Sequence, residues 1–118
     1  MKLAVIGSRG TKIKNLHEYV PEDIEITGVV SGGAEGIDTC AVEYADDLGI
    51  ELIEFLPEYM VTSDRQAAIF RNMQIVEYSD YLLAIWDGES PGTKFCIGHA
   101  ERNGKRYKIV NKQKYTDF

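Results

Sequence analysis

Apolar positions along this chain form two kinds of pattern, short unbroken runs and longer stretches at helical spacing. Leu3 to Ile6 is an unbroken run stopped by Gly7, the signature of a strand buried on both faces. Ile26 to Val30, rich in β-branched residues, predicts a second strand. Between them a short helix is expected over about Ile13 to Tyr19, ended by Pro21. From Ala34 the period changes: Ile37, Cys40, Ala41, Tyr44, Ala45 and Leu48 fall on one helix face, with Glu43, Asp46 and Asp47 on the solvated side. Gly49 stops that helix, and Glu51 to Phe55 predicts a third strand. Pro57 to Ser63 reads as a loop, with Ser63 or Asp64 as N-cap of a helix over about 65–78 that buries Ile69, Phe70, Met73 and Val76. Tyr81 to Trp86 predicts a fourth strand. A turn-rich loop from Asp87 to Thr93 leads into a helix over about 93–102, closed by Gly104, and Lys108 to Val110 predicts the last strand. The order is βαβαβαβαβ. Short connections and helical crossovers predict an α/β fold, a three-layer parallel sheet of about five strands with helices on both faces.

Composition adds bounds to this picture. The 118 residues suit one domain, and 44% hydrophobic with 27% charged residues is a globular balance. The net charge of -6 argues against a broad surface for the phosphate backbone of nucleic acid. Only Cys40 and Cys96 are present, with no C-x-x-C, which argues against a disulfide framework or zinc site and fits a reducing cytoplasm. The first residues, MKLAVIGSRG, hold too short an apolar run for a signal peptide, and no stretch has membrane-spanning length. Nothing in the sequence calls for a metal.

Glycine is concentrated where strands give way to helices. Gly7-Ser8-Arg9-Gly10 follows the first strand, Ser31-Gly32-Gly33-Ala34-Glu35-Gly36 the second, and Gly88-Glu89-Ser90-Pro91-Gly92-Thr93 the fourth. In a parallel sheet such loops line one crevice at the carboxyl edge. Free N–H groups and the positive end of the helix dipole suit that place to an anion, and glycine lets backbone approach it closely. Hydroxyls and a charge from Arg9 or Lys94 would add to it. Tight strand–helix turns need glycine in any case, so one such loop says little; three at one edge favour a nucleotide or phosphorylated ligand. Neither the Walker A string nor G-x-G-x-x-G occurs.

VIGSRG, then SGGAEGID, then FRNMQIVEYSDYLLAIWDGESPGT, together resemble the SLOG superfamily, which groups the Smf/DprA proteins with the LOG proteins. The second motif is similar to that of the DprA branch, and the order of Arg71-Asn72, Asp80 and the last glycine loop resembles small stand-alone YspA-like members. The likeness runs from Val5 to about Val110. It implies a Rossmann-like sheet that binds a nucleotide-like ligand through Gly7, Ser8, Arg9, Ser31, Gly32, Gly33, Ala34, Gly36, Asp38, Arg71, Asn72, Gly88, Ser90, Gly92 and Thr93. It also implies self-association, most simply as a dimer; a three-layer domain this small leaves apolar surface for such a contact, for which Tyr44, Tyr59 and Phe118 are candidates. LOG-type hydrolases carry a catalytic glutamate on the helix after their last glycine loop. Here Lys94-Phe95-Cys96-Ile97 follows Thr93, with no acid in reach and Glu101 two turns on.

Several residues admit two readings. Asp38 contacts a ribose or stabilises its own turn. Arg71 reaches the crevice to pair a phosphate or makes a surface ion pair. Asn72 braces a loop. Asp87 holds Mg²⁺ beside a phosphate or caps the Gly88 turn. Trp86 is core or one wall of a base slot. Cys96 and His99 share a helix turn, a spacing open to a metal or a Cys–His pair, but the core is the better reading without further ligands. Three functions follow: a nucleotide-binding module, which leads; a nucleosidase or phosphoribohydrolase, for which only Asp38, Asp87 and Glu89 offer carboxylates; and DprA-like single-strand binding through Arg9, Lys12, Lys14 and Lys94.

Overall fold

Residues 1–7, 13–32, 37–55 and 64–112 are described by the structure, a computed structural model, with residue 38 and residues 64–68 described by backbone alone. The elements in chain order are β1 (Lys2–Gly7), β2 (Gly28–Ser31), α1 (Ile37–Leu48), β3 (Glu51–Glu54), α2 (Asp64–Tyr78), β4 (Tyr81–Trp86), α3 (Pro91–Arg102) and β5 (Arg106–Asn111). The strands form one sheet in the order β3-β2-β1-β4-β5 with every pairing parallel. The expected three-layer, Rossmann-like α/β architecture is therefore the observed one.

Side chains alternate across the strands and feed two separate cores. On one face Leu3, Val5, Val29, Leu83 and Ile85 pack with Ile37, Ala41 and Tyr44 of α1. On the other, Ala4, Ile6, Val30, Leu82 and Ala84 pack with Ile75 and Val76 of α2 and with Cys96 and Ala100 of α3. The β1 and β4 runs are apolar without a break because both of their faces are covered. Both α1 and α3 end as their glycines predict. Gly49 (φ 64°) and Gly104 (φ 67°) each take the left-handed turn. Paired bonds close each end, Gly49 N–H to Asp46 O with Ile50 N–H to Ala45 O, and Gly104 N–H to Glu101 O with Lys105 N–H to Ala100 O.

Three expectations are corrected. Residues 13–20 make a single turn, not a helix: the N–H groups of Tyr19 and Val20 both reach Leu16 O, and Asn15 Oδ1 accepts from Glu18 N–H. Buried Leu16 anchors this turn beside α1, where the Cys40 thiol donates to Ile13 O. On α2, Ile69 and Phe70 are exposed, at 38% and 53%, while the buried stripe is Asn72, Ile75, Val76 and Ser79. Two of those four are polar: Ser79 Oγ donates to Ile75 O at 2.6 Å, and the Asn72 oxygen accepts from Arg71. Tyr44, a candidate contact for a second copy, is buried in the core at 6% exposure.

Candidate functional site

The carboxyl edge of the sheet gathers the ends of β1, β2 and β4. Strand order reverses between β1 and β4, the place where parallel sheets open a crevice. At Gly7 the missing side chain admits α1: a Cβ there would overlap Ile37 Cγ1 and stand 2.8 Å from Ile37 Cβ. At Gly32 it admits α2: a Cβ would lie 2.8 Å from Ile75 Cδ1 and 3.2 Å from Arg71 Nε. Both glycines thus let a helix approach a strand end closely, and the second brings Arg71 into the edge.

Arg71 is held there by three hydrogen bonds. Its Nη1 donates to Gly32 O at 3.0 Å, across 39 positions of sequence, while Nε and Nη2 both donate to Asn72 Oδ1 at 3.3 and 3.2 Å. A guanidinium has five N–H groups and no acceptor. Two of the five have no partner among the described residues. Because Arg71 can only donate, the Asn72 oxygen must face it, which fixes the amide nitrogen on the opposite side. That nitrogen, on a residue only 9% exposed, finds no acceptor among the described residues. A Cβ added at Gly92 would stand 3.8 Å from it. A buried amide N–H without an acceptor costs about 1–3 kcal/mol, so it marks a place where an acceptor is wanted.

The start of α3 lies on the same spot. Ser90 is the N-cap but does not cap, since its hydroxyl donates to Asp87 Oδ2 at 2.9 Å. Asp87 Oδ1 accepts from the N–H groups of Glu89 and Ser90, both at 2.8 Å, so this carboxylate braces the Gly88 turn. Trp86 Nε1 donates to Ser90 O at 3.1 Å and pins the turn to the strand end. Pro91 has no N–H, no acidic residue occupies the first turn, and the first N–H groups of a helix have no acceptor within it. Gly92 leaves that end open to approach, and Thr93 is buried beside it. The start of α3, with the positive end of its dipole, thus lies beside the Asn72 amide, which in turn holds the Arg71 guanidinium.

Cys96, one turn further along α3, is fully buried. Burial pushes its thiol up to about 12, against the smaller opposing effect of the Arg71 charge. It is a protonated core residue, not a thiolate nucleophile. His99 does not pair with it: its Nε2 lies 3.2 Å from Glu77 Oε1 on α2, and its ring stacks on Phe95. Ser31 is buried at the end of β2, and Lys94 is exposed. Ser8, Arg9, Lys12, Gly33, Ala34, Gly36, Tyr59 and Phe118 lie outside the described residues, and of Asp38 only the backbone is described, in the first turn of α1. The structure therefore joins Gly32, Arg71, Asn72 and Gly92, and sets Ser90 and Gly88 to shaping the turn. The role of the Gly32 carbonyl as anchor for Arg71 has no sequence signal, because any residue supplies a carbonyl.

Neither protein-family profiles, nor curated proteins, nor solved structures supply a match to the chain. No described helix is long and apolar enough to cross a membrane. No three His, Cys, Asp or Glu among the described residues are grouped as metal ligands are.

Proposed function

We propose that this chain is a binding module for a nucleotide-like, phosphorylated ligand whose anionic group rests between Arg71, Asn72 and the first turn of α3. The observation that carries the reading is the Asn72 amide nitrogen, on a residue nine-tenths buried, without an acceptor among the described residues, and set beside the open backbone of Gly92. A phosphate oxygen supplies the missing acceptor, and Arg71 offers the paired donors that phosphate geometry favours. The likeness of the glycine loops to SLOG domains points to the same ligand class. Binding without turnover is the better form of the reading, because Asp87, at the turn before α3, has both oxygens engaged in holding that turn.

The test is scanning fluorimetry against AMP, ADP, ADP-ribose, NAD and cyclic dinucleotides, with Arg71→Ala beside the wild type. A ligand of the folded state raises the melting temperature by mass action. A nucleotide that shifts the wild type and not the variant supports the reading and becomes the compound to test for turnover. A panel that shifts neither protein counts against it.

A further inference from the structure

Charge is divided between the two edges of the sheet. Between Ile37 and Ser63 the chain has acidic residues and no lysine or arginine, and this stretch includes the edge strand β3, with Glu51 and Glu54 exposed. The other edge strand, β5, carries exposed Arg106, 3.5 Å from Asp23, and exposed Lys108, whose Nζ donates to Tyr19 O, preceded by Lys105 and followed by Lys112. Among the described residues β3 pairs only with β2, and β5 only with β4, so each leaves a row of backbone groups unpaired. A single sign of charge protects an edge against pairing with its like. Protection alone does not require the two edges to carry opposite signs.

The register carries the comparison to single residues. Following the ladders across the sheet, Leu52, Val29, Leu3, Tyr81 and Arg106 stand at one level. Two residues on, Glu54, Ser31, Val5, Leu83 and Lys108 stand at another. Glu54 and Lys108 also share a face, that of α1, because Leu52 and Val110 belong to its core. One residue before the first level stand Glu51 of β3 and, just ahead of β5, Lys105, whose Nζ donates to Glu77 O on the α2 side. Between those levels, on the α2 and α3 face, Ile53 matches Tyr107, itself 37% exposed.

We propose that this chain associates head to tail with further copies of itself, β5 of one copy pairing in parallel with β3 of the next at the same level. Glu54 then meets Lys108, Glu51 meets Lys105, and Ile53 meets Tyr107, each pair about 4.8 Å apart across the new ladder. The contact joins two different edges, so it is heterologous and propagates as a ring or an open filament and not as a two-fold dimer. This inference is independent of any ligand at the carboxyl edge.

The full chain is examined by sedimentation velocity over a wide concentration range. At low salt the mass should rise with concentration above the 13.3 kDa of one chain. At about 1 M salt, where the Debye length is ~3 Å, association should weaken. Glu51→Lys with Glu54→Lys, and separately Lys105→Glu with Lys108→Glu, should each raise the apparent Kd by about tenfold or more. An equimolar mixture of these two variants should associate again, as should the four-fold swapped chain, which also shows that the variants fold. On association the amides of β3 and β5 should exchange more slowly together. A single-chain mass at every concentration overturns the proposal. So does association that one of the two variants leaves untouched, which marks a symmetric contact through one edge. A single chain that binds a labelled single-stranded oligonucleotide through Lys105 and Lys108 overturns it in favour of nucleic acid.

Discussion

Replacing Asn72 by aspartate separates what this residue does for the fold from what it does for a ligand. The new side chain keeps an oxygen where Asn72 Oδ1 accepts from Arg71 Nε and Nη2, and the neighbouring guanidinium keeps the carboxylate ionised. The free amide nitrogen beside Gly92 becomes an oxygen. For a bound phosphate this removes a charge-assisted hydrogen bond, about 1.5–3 kcal/mol. It also adds a repulsion of about 4 kcal/mol for two unit charges ~4 Å apart at an effective dielectric of ~20. The sum is a loss of more than about a thousandfold in affinity. In fluorimetry, a nucleotide at about 100 times its Kd stabilises the wild type by ~2.7 kcal/mol. For a chain of this length that is a rise of about 10 °C. At the same concentration the aspartate variant should show no measurable rise, while its melting temperature without nucleotide stays at or above the wild-type value. Asn72→Ala is the contrasting control: Arg71 Nε and Nη2 lose their acceptor, and the fold should weaken by about 1–3 kcal/mol. A nucleotide shift of full size in Asn72→Asp would refute the placement of the anion beside Gly92.

Other outcomes follow from the same contacts. Gly32→Ala drives a methyl against Ile75 Cδ1 and Arg71 Nε, and should cost about 1–3 kcal/mol in denaturant unfolding while weakening nucleotide binding. Gly7→Ala meets Ile37, within the core and not at a flexible tip, so a destabilisation of at least about 1–3 kcal/mol is expected by the same measurement. Cys96, held up to about 12 from 9.0, stays protonated in the folded chain where the unfolded chain has lost its proton. Its contribution is whole below pH 9 and is lost as pH rises toward about 12, at ~1.4 kcal/mol per pH unit. Cys40, Tyr44 and Tyr81, also raised by burial, act in the same direction, and Cys96→Ala should flatten the alkaline slope of unfolding free energy. A thiol reagent at pH 8 should reach Cys96 only at the rate of opening; immediate labelling would contradict its burial.

By itself the sequence determined the elements whose signals are local. The β1 and β4 runs announce burial on both faces, α1 shows an uninterrupted apolar period, and Gly49 and Gly104 sit where a left-handed turn must follow a helix. These are properties of neighbouring residues, so they can be read without knowing what lies opposite. The buried stripe of α2 was not legible in this way. Asn72 and Ser79 look solvated in one dimension, whereas Ile69 and Phe70 look buried, and only packing against β1 and α3 selects the face. The segment around Leu16 is likewise held by one buried side chain against α1, too short for its own period to specify a helix. The candidate site divides along the same line. The sequence marked its loops, since glycine, serine and helix starts are local features. Only the tertiary structure decided that Arg71 crosses 39 positions to the Gly32 carbonyl, that its partner is the adjacent Asn72, and that the amide left over faces Gly92. Those contacts depend on how α2 lies across the sheet, a relation between distant segments that no single stretch of chain records.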